Sequence, residues 1–488
     1  MVFVLAFVAR VAVIFDNGHI RGLCGYDCGT YFTGADAFIH GRLPYRDFVM
    51  LHPPGIMLFL TPFAALTKIM SDSHAFAIAN LGFCVLGAVN ATLVVVICRR
   101  LGLSTWCGVV GGLFYAAWFG SVAGEYEVKL EPLGNLALLG GVLLILRAQR
   151  VAGRRAAILA GAVLGLTTVV KIWWFPPVIV LVGWHAWRQR SIKAGLDVLA
   201  GAALAALIVD MPFFLAAPSA MWHSVVLDQL GRLPANVADL DRISAMTTVP
   251  DAIGHHLVHS TALLVVTPFV VVALVVGASA WRASPAGRFA AGLVAVQIAV
   301  LLLAPSWFLY YGDYIAVSLS MTIAVALSGA ERRGLAWLHA AAPWALTATM
   351  LSLTIVITVS GTSNAKSLPG QKQLARAVAR AHCVTSDYPT LLIEANALSR
   401  DLDHGCPNWV DVTGDSYGPD REGSLPRSQD VPYQKHLVAY LRSGDQILLY
   451  PGKAAITAKS RAKIGKGRTI VLRTPDYVLL GPRRARSG

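Results

Sequence analysis

Charge is what this chain has least of. Only 14% of its 488 residues are Asp, Glu, Lys or Arg, against 56% hydrophobic ones, and the mean hydropathy is +0.59. A soluble globular protein needs a wetter surface. A polytopic helical membrane protein does not, because each span takes roughly 20 apolar residues. The marks of nucleotide chemistry are missing too. There is no P-loop and no sustained GxGxxG, and Gly465-Lys466-Gly467-Arg468 lacks the spacing of a phosphate loop. No Cys/His spacing resembles a zinc site, and there is no internal repeat or low-complexity tract. The net charge is +14, but the basic residues are scattered between apolar runs, which argues against a nucleic-acid partner. Basic membrane loops and a basic tail account for the excess.

Apolar segments fall at about 1–15, 74–98, 105–122, 132–147, 156–170, 172–187, 194–216, 259–281, 288–304, 314–330 and 335–360. The expected fold is an all-α polytopic membrane domain of roughly eleven transmembrane helices. The first segment is short and broken only by Arg10. It has no basic n-region and no small-residue cleavage site, so a cleaved signal peptide is not expected. Either the true start lies slightly upstream or this helix is short.

One set of connections is short and basic: Arg99-Arg100, 147–155, 188–193, 282–288 and Glu331-Arg332-Arg333. The other set, 16–73, 123–131 and 217–258, holds the acids. The positive-inside rule places the basic set in the cytoplasm. The N-terminus is then cytoplasmic and the C-terminal part extracytoplasmic. Segment 53–70 reads as a helix lying at the outer interface, and Tyr31 to Ile39 as another. Near residue 361 the composition changes, which gives two domains: 1–360, with a first outer loop at 16–73, and a small extracytoplasmic α/β domain at 361–488. In the latter, 371–382 and 433–441 have helical spacing. Residues 390–393, 446–450, 469–472 and 477–480 read as strands.

Cys84, Cys98 and Cys107 lie in or beside apolar spans as packing residues. In an oxidising compartment Cys383 and Cys406 can form a disulfide, as can Cys24 and Cys28.

The organising stretch is Gly25-Tyr26-Asp27-Cys28-Gly29-Thr30-Tyr31, followed by Gly41-Arg42-Leu43-Pro44-Tyr45-Arg46-Asp47-Phe48 and His52-Pro53-Pro54-Gly55. A polar, glycine-punctuated loop at a membrane surface reads as the floor of an active site. Ionisable residues at a span's mouth are functional candidates by default. Asp27 is the first choice for general base, able to take a proton from an acceptor hydroxyl. Asp47, Glu125 and Glu131 are candidates for a second carboxylate that orients the acceptor. Glu127 shares their loop, and Glu125, Glu127 and Glu131 are expected to converge with Asp27 on one cleft. Lys171, at the outer end of a span, either holds a phosphate oxygen or snorkels beside an aromatic belt. Tyr310 and Tyr311, in the run Trp307 to Tyr314, either bind a lipid-linked substrate or form that belt. His52 is a ligand, a hydrogen-bond partner or a helix-start residue. No metal site is assigned and no cofactor is certain, although paired carboxylates would admit a divalent metal.

An acid just after the first span, then G-R-L-P-Y-R-D-F, then H-P-P-G, then many spans and an outer C-terminal domain resembles the C-type polytopic glycosyltransferases. The nearest likeness is to the protein mannosyltransferase and aminoarabinose transferase group, in an actinobacterial envelope form. The resemblance covers about 1–360. Its motifs concentrate in 25–55, with weaker support at Glu131-Pro132, Lys171 and Tyr310-Tyr311. It implies that Asp27 holds the place of the family's catalytic acid. Cys28 stands where many relatives carry a second acid, and tyrosine stands where relatives often have histidine in the run 307–314.

The implied activity is transfer of a sugar, of mannose or arabinofuranose type, from a polyprenyl-phosphate donor to a cell-envelope hydroxyl on the outer face. The acceptor is a glycolipid, a polysaccharide or a protein. The enzyme would be an inverting hexosyl- or pentosyltransferase. The alternative is a transporter or flippase of lipid-linked sugars. It should show two similar halves and broken helices near mid-membrane, and the sequence shows neither.

Overall fold

The computed structural model describes residues 1–16, 20–151, 153–232, 237–248, 259–333, 366–414, 425–452 and 454–483, with isolated positions between 345 and 356. The chain divides into two compact units. Unit one is Met1–Asp16, Leu81–Met211 and Pro234–Ser363; unit two is Asn17–Asn80, Pro212–Leu233 and Asn364–Gly488.

Unit one is helical. Among the described residues, six helices are long and apolar enough to cross a membrane: Asp72–Arg100, Glu131–Val151, Ile192–Ala216, Val266–Ala283, Pro285–Leu303 and Tyr310–Glu331. The chain is a multi-pass membrane protein. A further span would be formed by Thr105–Ala117 and Phe119–Glu125 if that pair, bent by 58°, counts as one. The break has a local cause. Trp118 is extended, and Ser121 Oγ donates to the Tyr115 carbonyl at 2.5 Å, satisfying an acceptor that the interrupted ladder released. Three other expected spans are helices of 15 residues each, Val2–Asp16, Arg154–Thr168 and Phe175–Gln189. At 1.5 Å per residue these reach about 22 Å, short of a hydrocarbon core of about 30 Å. The expected span at 335–360 lies largely outside the described residues. Leu138, Val142, Leu164, Val198, Leu293 and Tyr314 are among the buried core residues of this unit.

Unit two draws residues from both sides of position 361. The first outer loop does not go with the spans; residues 17–80 and 212–233 join the tail. Hydrogen bonds and close helix packing tie the first outer loop to the tail. Leu23 and Lys366 exchange backbone hydrogen bonds at 2.8 and 2.9 Å, and Arg42 donates to the Cys406 carbonyl at 2.7 Å. Helix Tyr26–Ile39 lies so close to Pro389–Glu394 that a Cβ on Gly29 would stand 2.9 Å from the Thr390 nitrogen.

The unit carries a four-stranded sheet of β1 (Val384–Ser386), β2 (Gln446–Leu449), β3 (Arg468–Arg473) and β4 (Val478–Pro482), in the order β1-β2-β4-β3. β1 and β2 are parallel, and the other pairs antiparallel. The strand expected at 390–393 is instead the helix Pro389–Glu394, started by a proline in its first turn. The first strand lies just before it. Helix Val431–Ser443 packs with the sheet, and its Tyr433, Leu437 and Leu441 join Ile447 in the core. The Cys383 and Cys406 sulfurs are bonded at 2.03 Å, and Cys24 is bridged to Cys28.

Candidate active site

The run expected to be a loop around Asp27 is mostly helix. Gly25 is the N-cap, and Asp27 sits in the first turn of Tyr26–Ile39, where the helix macrodipole favours an anion. Tyr26, Cys28 and Gly29 are buried, whereas Asp27 is half-exposed. Beside it, the Tyr26 hydroxyl donates to Asp411 Oδ1 at 2.9 Å and accepts from the Thr413 nitrogen at 2.9 Å. Burial, then the charge of nearby Asp27, pushes the Asp411 carboxyl above its ordinary range, despite a hydrogen bond from the Gly414 nitrogen. Asp27 is thus an accessible carboxylate beside a buried one that resists ionising. Cys28, at the place of a second acid, is bonded to Cys24.

The G-R-L-P-Y-R-D-F motif folds into a tight knot. The Tyr45 nitrogen donates to the Phe48 carbonyl at 2.8 Å, and Tyr45 adopts φ +66, a left-handed conformation that is unusual for an aromatic residue. Asp47 Oδ2 accepts from the Leu43 nitrogen and from Arg46, both at 2.7 Å. Arg46 holds the Asp47 carboxyl below its ordinary range. Asp47 is therefore hydrogen-bonded within its own turn. His52 closes the same knot. Its carbonyl accepts from the Tyr45 hydroxyl at 2.7 Å, and its ring lies edge-on to Tyr31 with centroids 5.9 Å apart.

Unit one holds a buried charge cluster that the sequence reading only half anticipated. Four carboxylates, Glu125, Glu127, Glu131 and Asp313, share three cations, Arg10, Lys129 and Lys171, and all seven are buried. Arg10, the one charge in the first apolar segment, donates through Nε to Glu125 Oε2 at 2.7 Å, and its guanidinium also bonds that oxygen through NH2. Glu125 Oε1 accepts from Asn90 at 3.0 Å and from the Tyr115 hydroxyl at 2.7 Å. Gly87 makes room for this pair, since a Cβ there would stand 2.8 Å from the Glu125 carboxyl carbon. Asn135 donates to the Asp313 carbonyl and to Asp313 Oδ1, each at 2.9 Å. The acids at 125, 127 and 131, read as members of an outer loop, are thus buried. Each of the three glutamates lies against its own cation, because an unpaired buried charge is costly.

The second half of the cluster is aromatic. Lys171 Nζ donates to Glu131 Oε1 at 2.7 Å and stands 3.9 Å from the Trp173 ring centroid and 4.3 Å from that of Tyr311. Lys129 Nζ lies 3.2 Å from Glu127 Oε1 and 4.3 Å from the Tyr310 ring centroid. Tyr310 and Tyr311 meet edge to face at 5.1 Å, so the two lysines share one aromatic cradle. This corrects the snorkelling alternative for Lys171, whose charge is not in water.

Glu131 Oε2 and Asp313 Oδ2 make no hydrogen bond among the described residues. Buried acceptors left open in this way mark places for a ligand's donors. Arg10, Asn90, Asn135 and Asp313 were not foreseen as site residues. The available signal was a polar side chain in an apolar run, most visible at Arg10.

In unit two, His382, His404 and Cys406 are close enough to hold a metal. The Cys406 sulfur is already bonded to Cys383, however, and the two imidazoles stack with centroids 4.8 Å apart.

No family model and no curated protein sequence matches the chain. Solved structures do. ArnT from Cupriavidus metallidurans bound to undecaprenyl phosphate matches with a TM-score of 0.62 and 15% identity, covering 99% of this chain and 98% of that one. The same protein in the apo state gives 0.63 and 14%, covering 98% and 97%. The Archaeoglobus fulgidus oligosaccharyltransferase in complex with Zn and sulfate gives 0.56 and 13%, covering 96% of this chain and 71% of that one. The chain has the fold of the C-type glycosyltransferases.

Proposed function

We propose that the chain is a membrane glycosyltransferase that moves a single sugar from a polyprenyl-phosphate donor to a hydroxyl of the cell envelope. The fold, shared along nearly the whole chain with a protein solved with undecaprenyl phosphate, supports a lipid-phosphate donor. The observation that carries the reading is the buried Lys171–Glu131 pair in its Trp173 and Tyr311 cradle. An ammonium has three donors, and Glu131 takes one. The others suit the oxygens of a departing phosphate, where a preorganised cation is worth most. Glu131 Oε2 and Asp313 Oδ2 suit sugar hydroxyls, which are donors.

In the reaction, the acceptor oxygen forms a bond to the anomeric carbon as the carbon–oxygen bond to phosphate breaks. The bonding pair leaves with the phosphate, the acceptor's proton passes to a carboxylate, and a single displacement inverts the centre. Asp27 is the carboxylate assigned to that proton. We assign roughly eleven spans, a cytoplasmic N-terminus, and an outer location for Asp27 and for residues 361–488. The sugar is of mannose or arabinofuranose type, and the acceptor is a glycolipid, polysaccharide or protein.

The test is transfer itself. Membranes containing the full chain are given a panel of radiolabelled polyprenyl-phosphate sugars. Label from one donor should move to envelope material. Lipid-linked label that crosses the bilayer of sealed vesicles without leaving its lipid would instead establish a flippase.

A further inference from the structure

Away from the charge cluster, unit one has a cavity of about 390 Å³ where several helices end. Arg100, Arg150, Arg188 and Arg332 line it, with Gln149 and Trp184, and no carboxylate is among the lining residues. The four arginines come from four different basic connections, so the fold gathers into one place charges that are far apart in sequence.

Two of them have an ordinary structural role. Arg150 donates to the Arg100 carbonyl at 3.1 Å, and Arg332 to the Ala283 carbonyl at 3.4 Å, closing helix ends. Arg100 and Arg188 differ: among the described residues, neither side chain makes a hydrogen bond or an ion pair. The cavity wall has a second peculiarity. Trp184 is 9% exposed and stacks on Phe289 at 4.3 Å, yet its Nε1–H has no acceptor among the described residues. Gln149 Nε2 is likewise a buried donor without an acceptor. Free guanidinium groups and orphaned N–H donors, with no carboxylate, describe the complement of an oxyanion.

We propose that this cavity binds a phosphate group carrying net negative charge, at the end of unit one opposite in kind to the acid-rich sugar site. Guanidinium forks match phosphate oxygens in geometry as well as charge. An anionic membrane lipid is one source, since helix ends rich in Lys and Arg lie at headgroup level and basic pockets between spans take such headgroups. The neighbouring Trp187, 55% exposed, suits an interfacial position there. A soluble phosphate is the other source.

The experiment uses the full-length protein in phosphatidylcholine nanodiscs, with or without phosphatidylglycerol. Retained lipid is counted by native mass spectrometry, and the thermal midpoint is followed against added inorganic phosphate. Preferential retention of phosphatidylglycerol identifies the lipid source; a midpoint raised by phosphate alone identifies the soluble one. In either case Arg100→Gln/Arg188→Gln should weaken binding at least about tenfold. Arg147→Gln, an exposed basic residue outside the cavity, should leave it unchanged. Each single substitution serves if the double variant fails to fold. Binding unaffected by these substitutions, or weakened equally by Arg147→Gln, overturns the proposal, as does the absence of both effects in the wild type.

Discussion

Lys171 and Glu131 form a buried ion pair, 2.7 Å apart, with side chains 3% and 1% exposed. Removing one partner strands the other's charge away from water. Lys171→Met or Glu131→Leu should each destabilise unit one by about 3–5 kcal/mol, while the two together should lose much less than the sum. A double-mutant cycle on thermal unfolding in detergent measures the coupling. Strictly additive losses would mean that the pair is not the unit described here.

Asp27 is the proposed base. Asp27→Asn keeps the shape and removes the basicity, so transfer should fall by about 10²–10⁴-fold with protein level and donor binding near normal. Asp27→Glu should also be poor, because an added methylene displaces the carboxylate. Full transfer by Asp27→Asn would move the base to another residue, with Glu131 and then Asp313 next to be tested.

Two acids of unit two make its stability depend on pH. Burial raises Glu394 to about 8, and burial with the neighbouring charge of Asp72 raises Asp36 to about 7. In the unfolded chain both ionise near the ordinary carboxylate range, about 4. The folded form therefore binds more protons between those values. The stability these groups allow is complete below pH about 4 and is lost as pH rises through 7 to 8. Hydrogen exchange of peptides from 384–402 should quicken between about pH 4 and 8 and level off above, after correction for intrinsic rates. Glu394→Gln should flatten that dependence, and an unchanged slope in this variant refutes the assignment.

The Cys383–Cys406 bridge closes a loop between positions 23 apart in sequence. A loop of that size is worth about 3 kcal/mol in the chain-entropy account. Cys383→Ser with Cys406→Ser should accordingly unfold unit two at lower denaturant. Mass spectrometry of non-reduced peptides reads the bond directly, and free thiols at both positions in freshly isolated membranes would end the idea.

Topology can be read by impermeant thiol labelling of intact cells. Arg333→Cys should stay unlabelled and Lys435→Cys should label. The reverse pattern would place the basic connections outside and invert the orientation.

Composition and spacing determined that this is a helical membrane protein, where most of its long helices run, and that a mixed segment follows the last apolar run. Those features are local. An apolar run of 20 residues declares itself wherever it is placed, but the helix starts at Pro389 and beside Asp27 were not legible in this way. Thr390–Ile393 reads as a strand in sequence and is helical in the structure, because its apolar run is short enough to fit either period.

What only the tertiary structure decided is which distant residues share an environment. Nothing in the order of the chain says that Arg10 meets Glu125, that Asn135 holds Asp313, or that the first outer loop is built into the tail through Leu23, Tyr26 and Arg42. Nor does it say that Arg100, Arg150, Arg188 and Arg332 surround one cavity. A buried charge is tolerated only with its partner beside it, and the partner is chosen by packing in three dimensions.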